Sequence, residues 1–433
     1  MSSSLALRHV RRLSISAAFS AAAESPSLPM TRAQYTSKLR TEYDPNKVLE
    51  LYQAVSKLDI SPLFARHAQD LTVKRLAKAK RFDDIEKLLE AKKSDPKAKE
   101  EAFVSTLIRA YGLAGMPDHA NRVYEQMGEL GTPRSVVSFN ALLSACNHCK
   151  LFDRVCQLFD EMPERHGFLP DKVSYGLLVK AYCDDGKPEL GVEKLKEMEE
   201  RGVEVTVVTF TTILHALYKK GRVDEAERLW SEMTGKGFVP DTGAYNVRVM
   251  NARDGKVEDL VKMIEEMKEA GVKPDTITYN YLMTCYCKNG MIDEAKKVYE
   301  GLDDYGCNPH GATFGTLIHY LAKNEMFEYG YRVFKDSVRG NKMPDFCILK
   351  PLVVGLAKRK SKKRAQGIIR AAKKNYPPSF LETLKKVEEE LGLIKFSLSG
   401  TLRDTVVKID NFNSEDADDI SKQETQWKWN GDK

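Results

Sequence analysis

The chain has 433 residues, 42% hydrophobic and 30% charged, which is enough for two or three ordinary domains. No run of about 18 apolar residues occurs, so a helical membrane span is not expected. The net charge of +6, from 68 basic and 62 acidic residues, is too near neutral to name a nucleic-acid partner by itself.

In chain order, residues 1–30 come first. Arg8, Arg11 and Arg12 stand among serines and alanines, with no acid before Glu24. Ala6, Val10, Leu13 and Ala17 share one side of a helical wheel. An acid-poor amphipathic start of this kind resembles a mitochondrial transit peptide; the other reading is a disordered basic tail. A matrix location follows from the first reading. Residues 31–100 read as N-terminal helices with a degenerate repeat over 66–100, where Arg81-Phe82-Asp83-Asp84-Ile85 parallels Arg222-Val223-Asp224-Glu225-Ala226.

Residues 101–345 are self-similar. An aromatic recurs at Phe139, Tyr175, Phe210, Tyr245, Tyr279 and Phe314, each 34 to 36 residues after the last. Met127, Met162, Met198, Met233, Met267 and Leu302 keep the same period. Gly115, Gly186, Gly221 and Gly290 mark one turn, and a Pro-Asp closes units at Asp171, Asp241, Asp275 and Asp345. Seven units result: 101–135, 136–171, 172–206, 207–241, 242–275, 276–310 and 311–345.

Each unit predicts two helices. Phe210, Ile213, Leu214 and Leu217 fall at helical spacing, Gly221 breaks the run, and Val223, Ala226, Leu229, Trp230 and Met233 form a second stripe. One hairpin cannot bury its stripe alone, so the units must stack. The fold class expected is all-α, a right-handed solenoid of helix-turn-helix repeats. Residues 346–395 carry a further degenerate repeat, stopped by Pro377-Pro378, and a capping helix over 379–392. Residues 396–433, with Glu415, Asp416, Asp418 and Asp419, are polar and expected to be disordered.

Lys358, Arg359, Lys360, Lys362, Lys363, Arg364, Arg370, Lys373 and Lys374 crowd into 17 positions, and no acid occurs between Asp345 and Glu382. Such density points to a phosphate backbone; the plainer reading is a solvated or helix-capping face. The eight cysteines sit mostly in helical segments and read as reduced, small apolar residues. Cys146-Asn147-His148-Cys149 lacks a second pair and Cys285-Tyr286-Cys287 has the wrong spacing, so no metal is expected. No HExxH, GxxxxGK[ST] or GxSxG occurs, and neither a catalytic site nor a cofactor is expected.

Val208-Thr209-Phe210-Thr211-Thr212-Ile213-Leu214, Gly290-Met291-Ile292-Asp293-Glu294-Ala295 and Gly271-Val272-Lys273-Pro274-Asp275 closely resemble the pentatricopeptide repeat. The resemblance covers roughly residues 66–380, and near-constant unit length suggests the P class. Residues 132–143, Tyr279-Asn280-Tyr281-Leu282-Met283, and Pro377-Pro378-Ser379-Phe380-Leu381 before 388–393 look more narrowly like plant members built into the mitochondrial ribosome, of the large subunit.

The resemblance implies that each unit can address one base of an RNA strand through its fifth and last residues. The pairs are Ser105 with Ser135, Asn140 with Asp171, Gly176 with Thr206, Thr211 with Asp241, Asn246 with Asp275, Asn280 with His310, and Gly315 with Asp345. By analogy Asn with Asp would favour uracil and Thr with Asp guanine. Val137, Val173, Val208 and Ile277 would clamp bases, whereas Ala102, Gly243 and Ala312 are too small. Helix capping is the competing role for the aspartates. Three good pairs would supply about 3–9 kcal/mol gross, a poor sequence-specific grip.

The expected function is therefore a structural RNA-binding component of the mitochondrial ribosome, with ribosomal RNA and ribosomal proteins as partners and no membrane or small-molecule substrate. A free factor that binds a mitochondrial messenger for stabilisation, processing or translation is the alternative. A protein scaffold without RNA is the third reading, and an enzyme is the least supported.

Overall fold

The computed structural model describes residues 30–58 and 61–393. The transit peptide expected within 1–30, all but Met30, and the tail expected at 396–433 lie outside the described residues. Among those described, every regular element is helical.

Repeat 6 shows why these residues fold as they do. Asp275 stands before the helix Thr276–Lys288 and its side chain accepts from the amides of Ile277 and Thr278, while Thr278 answers with its hydroxyl, a capping box. At the far end Met291 N donates to the Tyr286 carbonyl at 2.8 Å and Gly290 N to Cys287 at 3.2 Å, closing the carbonyls left open. Gly290 takes φ 76°, and Ile292–Glu300 then folds back.

The equivalent turn is left-handed in eight hairpins, at Lys80, Gly115, Lys150, Gly186, Gly221, Gly290, Glu325 and Lys360. Four of these are not glycine, so the turn is imposed by stacking as well as by local preference. Its presence at Lys80 and Lys360 carries the same hairpin geometry into Pro62–Lys78 with Phe82–Glu90, and into Phe346–Lys358 with Lys362–Asn375.

First helices pack on one another from Pro62–Lys78 to Phe346–Lys358, one repeat to the next. Second helices meet mainly through long side chains: Tyr299 donates to Asp336 at 3.1 Å, and Lys236 to Glu199 at 2.6 Å. The closely packed row of first helices is thus the inner, concave side, and the splayed second helices form the outer side.

The aromatic and methionine ladders fill the space between. Phe139, Tyr175, Phe210, Tyr245, Tyr279 and Phe314 are all buried, as are the five methionines and Leu302. Rings of one second helix meet rings of the next first helix edge-on: Phe159 with Tyr175 at 5.0 Å, and Trp230 with Tyr245 at 5.2 Å. Each buried ring or aliphatic chain contributes roughly 1.5–3 kcal/mol, so the stack holds by burial shared between neighbours.

Both ends are closed. Arg32–Thr41 and Pro45–Ser56 build a small core around Leu39, Val48 and Val55 against Pro62–Lys78. After the two prolines a 3-10 turn, Pro378–Phe380, leads into the helix Leu381–Glu390, shorter than the expected 379–392. It buries Leu384 and Val387 in the same core as Ile368 and Ile369.

Candidate RNA interface

The first turn of each first helix holds the expected readers. In repeat 2 the Asn140 Nδ2 donates to Asp171 Oδ1 at 3.0 Å, across the boundary between hairpins. Ser174 Oγ donates to the Asn140 Oδ1 at 2.7 Å. Asp171 Oδ1 also accepts from the amides of Val173 and Ser174 at 3.0 and 2.9 Å, so it caps Lys172–Asp184. Repeat 5 repeats this closely: Asn246 Nδ2 to Asp275 at 3.1 Å, and Thr278 Oγ1 to Asn246 Oδ1 at 2.6 Å.

Capping and reading are therefore compatible in these two pairs. The bonds to each aspartate use only its Oδ1, and each asparagine spends one Nδ2 hydrogen on it. One hydrogen on Nδ2 and the aspartate Oδ2 remain, a donor beside an acceptor. Uracil presents the complement, a carbonyl oxygen beside N3–H. Burial raises the Asp171 pKa, but hydrogen bonds from Ser174, Asn140 and Val173 outweigh it and hold the carboxylate below its ordinary range.

The other positions differ. Thr211 Oγ1 donates back to the Val207 carbonyl at 2.8 Å, and Asp241 accepts from Ala244 N at 2.8 Å, so these two act separately. Ser105 is buried, with no hydrogen-bond partner for its hydroxyl. Its expected partner Ser135 instead donates to Glu101, whose carboxylate also takes the Ser135 and Ser138 amides at 2.7 and 2.9 Å. Asn280 meets His310 at 3.0 Å, leaving the Asn280 Oδ1 buried without a partner. An amide flip would set that oxygen against a His310 N–H. At Gly176 nothing lies within 4 Å of where a side chain would begin.

Val137, Val173 and Val208 keep 49%, 50% and 59% of their surface exposed on the face that carries the fifth position, one helical turn away. Apolar residues at the same register, left uncovered, suit a stacking surface.

Sequence reasoning missed two sets of residues. Ser138, Ser174, Thr209, Thr278 and Thr313 are buried hydroxyls at the third position, and two of them hold the side-chain amides of Asn140 and Asn246. Lys219, Lys288 and Lys323 occupy the last turn of their first helices and are exposed, and with Lys358, already named in the cluster, they make a row of cations along one edge of the inner side. Both recur at the repeat period and were legible there.

All nine clustered cations are exposed. Arg359 pairs with Glu325 at 2.5 Å, Arg364 with Glu328, and Lys373 with Glu388 at 2.5 Å. Lys362 reaches the Gly392 carbonyl at 3.5 Å. Lys358, Lys360, Lys363, Arg370 and Lys374 have no ion pair among the described residues. The charge is also inverted against the rest of the stack. Every other second helix, from Phe82–Glu90 to Phe327–Arg339, has Asp or Glu in its first turn, favourable to the helix dipole. Lys362–Asn375 opens with Lys362, Lys363 and Arg364 and no acid. No group of three or more His, Cys, Asp or Glu able to hold a metal occurs among the described residues.

Family sequence models match this architecture directly. That of the PPR repeat family matches residues 134–184, 170–218, 205–249 and 274–323, that of the pentatricopeptide repeat domain residues 228–289, and that of the PPR repeat residues 103–132. The chain belongs to the pentatricopeptide repeat family. It is 54% identical over 393 residues to the small ribosomal subunit protein mL103 (rPPR7) of Arabidopsis thaliana, over 90% of this chain and 95% of that one. A mitochondrial pentatricopeptide repeat-containing protein of the same plant is 49% identical over 393 residues, 90% and 93% of the two chains. The crystal structure of the pentatricopeptide repeat protein PPR10 from maize is 20% identical, with TM-score 0.42, over 83% of this chain and 59% of that one. The all-helical expectation is borne out.

Proposed function

We propose that this pentatricopeptide repeat protein is a structural, RNA-binding component of the mitochondrial ribosome, not an enzyme. The carrying observation is the imbalance of its candidate interface. Two of seven units hold a connected Asn–Asp pair, while a terminal hairpin concentrates exposed cations. Two readers contribute about 2–6 kcal/mol gross, too little to select one transcript, whereas phosphate contacts hold RNA of any sequence.

A mitochondrial location is supported by the name of the relative 49% identical to the chain and by the basic, acid-poor presequence. A ribosomal role is supported by the name of the relative 54% identical to it. On the subunit the lines part: the narrower sequence likeness favours the large subunit, and the relative's name contains the words small ribosomal subunit. Near-constant unit length favours the P class. We take 101–345 as the RNA-facing stack, flanked by 31–100 and 346–395.

Sucrose-gradient sedimentation of mitochondrial lysate tests the reading. Co-migration with one ribosomal subunit at high salt is the expected result and names the subunit. A light fraction enriched in one transcript would instead favour the free messenger-binding factor.

A further inference from the structure

We infer that the outer face of the helix Lys362–Asn375 is a second RNA site that takes the backbone of double-helical RNA, separate from the single-strand groove. The inference deepens the RNA-binding reading above and rests on it.

Direction comes first. Ala365, Ile368, Ile369 and Ala372 are buried. At 100° per residue, Lys363, Arg370 and Lys374 project from the opposite side of the same helix, away from the inner row. They form one straight row on a rigid element, about 16 Å long at 1.5 Å per residue. Lys360 extends it at the turn. A strand lying in the groove beside Asn140 and Asn246 cannot reach this row without leaving the first helices.

The kind of RNA follows from what the face lacks. Single strands are held by cations together with rings on which bases stack. The rings beside the cluster are engaged: Arg359 lies 5.1 Å over Phe327, Arg364 lies 5.7 Å over Tyr331, and Tyr376 and Phe380 pack edge-on against Phe346 and each other. No large apolar side chain of Lys362–Asn375 is exposed. What remains is a fixed row of charge with nothing to grip a base. A-form RNA, with its phosphates held at regular spacing and its bases hidden, matches such a row. The inverted first turn points the same way: of its three cations only Arg364 has a carboxylate, Glu328, so a phosphate there would still relieve Lys362 and Lys363 at the positive end of the helix dipole.

The test uses the full chain with two probes, a blunt RNA duplex of about 16 base pairs and an oligouridine of about 16 nucleotides. Replacing the free cations together (Lys360→Gln, Lys363→Gln, Arg370→Gln and Lys374→Gln) should weaken duplex binding by about 100-fold at low salt. The slope of log affinity against log salt should fall by about 3 to 4. Oligouridine binding should change by less than about twofold, which also reports that the stack has folded. Glu328→Gln, which releases Arg364, should tighten duplex binding by about threefold. Duplex affinity that survives the four substitutions, or falls in step with oligouridine affinity, overturns the second site. Loss of the wild-type chain's affinity for both probes would instead sink the RNA-binding reading itself.

Discussion

The amide of Asn140 and the carboxylate of Asp171 are joined at 3.0 Å, tying the first helix of one hairpin to the cap of the next. Because the same oxygen accepts the capping amides, the proposed reader of repeat 2 is set before any base arrives. Such a pair loses little freedom on binding, which favours affinity. The pair Asn246 and Asp275 is set in the same way.

Asp171→Ala and Asp241→Ala should separate capping from reading. Both remove an N-cap, and each should cost about 1 kcal/mol in chemical denaturation. Only Asp171 also holds an asparagine, so Asp171→Ala should lower oligouridine affinity by about tenfold, read by fluorescence anisotropy. Asp241→Ala should change it by under about twofold. Equal losses would show that the aspartates act in capping alone.

His310→Asp should turn repeat 6 into a third set pair, since Thr313 stands where Ser174 and Thr278 stand. Oligouridine affinity should rise by about tenfold. The substitution should also remove a pH dependence. Burial, with help from Lys342, lowers the His310 pKa, against the opposing pull of its own backbone contact and Asp275. The unfolded chain then binds a proton first as pH falls, so the histidine destabilises the fold from about pH 6.5 downward. Melting temperature should drop across that window in the wild type and less so in His310→Asp.

The fold was legible because it is written several times. The period of Phe139, Tyr175 and Phe210 reports burial, and burial is what repeats. The site was harder, since bonding between repeats has no signature in one residue pair. Asn140 with Asp171 and Thr211 with Asp241 look equally good in sequence, yet Thr211 turns back to its own helix while Asn140 crosses to the next. Ser135 gave no hint that Glu101 would take its hydroxyl and amide. In the basic cluster, composition showed the charge, but not that Glu325 and Glu328 of the preceding hairpin neutralise Arg359 and Arg364.

Two backbone positions should respond with opposite signs. Lys150 holds φ 60° at a turn where other hairpins use glycine, so Lys150→Gly should stabilise by up to about 1 kcal/mol. Gly112 faces Ala145 so closely that an added Cβ would overlap its backbone. Gly112→Ala must push the first helices of repeats 1 and 2 apart and should cost about 1–3 kcal/mol. Urea midpoints measured side by side test both signs.

Acid should loosen the stack first around repeats 1 to 3. Burial raises the Glu101 pKa, but bonds from Ser138 and Ser135 outweigh it and hold the carboxylate below its ordinary range. The same balance holds Asp171 low. A depressed carboxylate adds stability above its unfolded pKa, near 4, and loses it as pH falls through the folded value. Amide exchange in Val136–His148 and Lys172–Asp184 should therefore accelerate, relative to later repeats, as pH drops from about 5 to 3. Glu101→Gln keeps the shape but loses the charge and one strong acceptor, so it should cost about 1–2 kcal/mol at pH 7. Its penalty should shrink as pH drops below about 4 toward 3, because the unfolded wild-type chain takes up the proton first and the charged cap loses its advantage. A penalty constant across that range would mean that packing, and not the charged cap, is what Glu101 supplies.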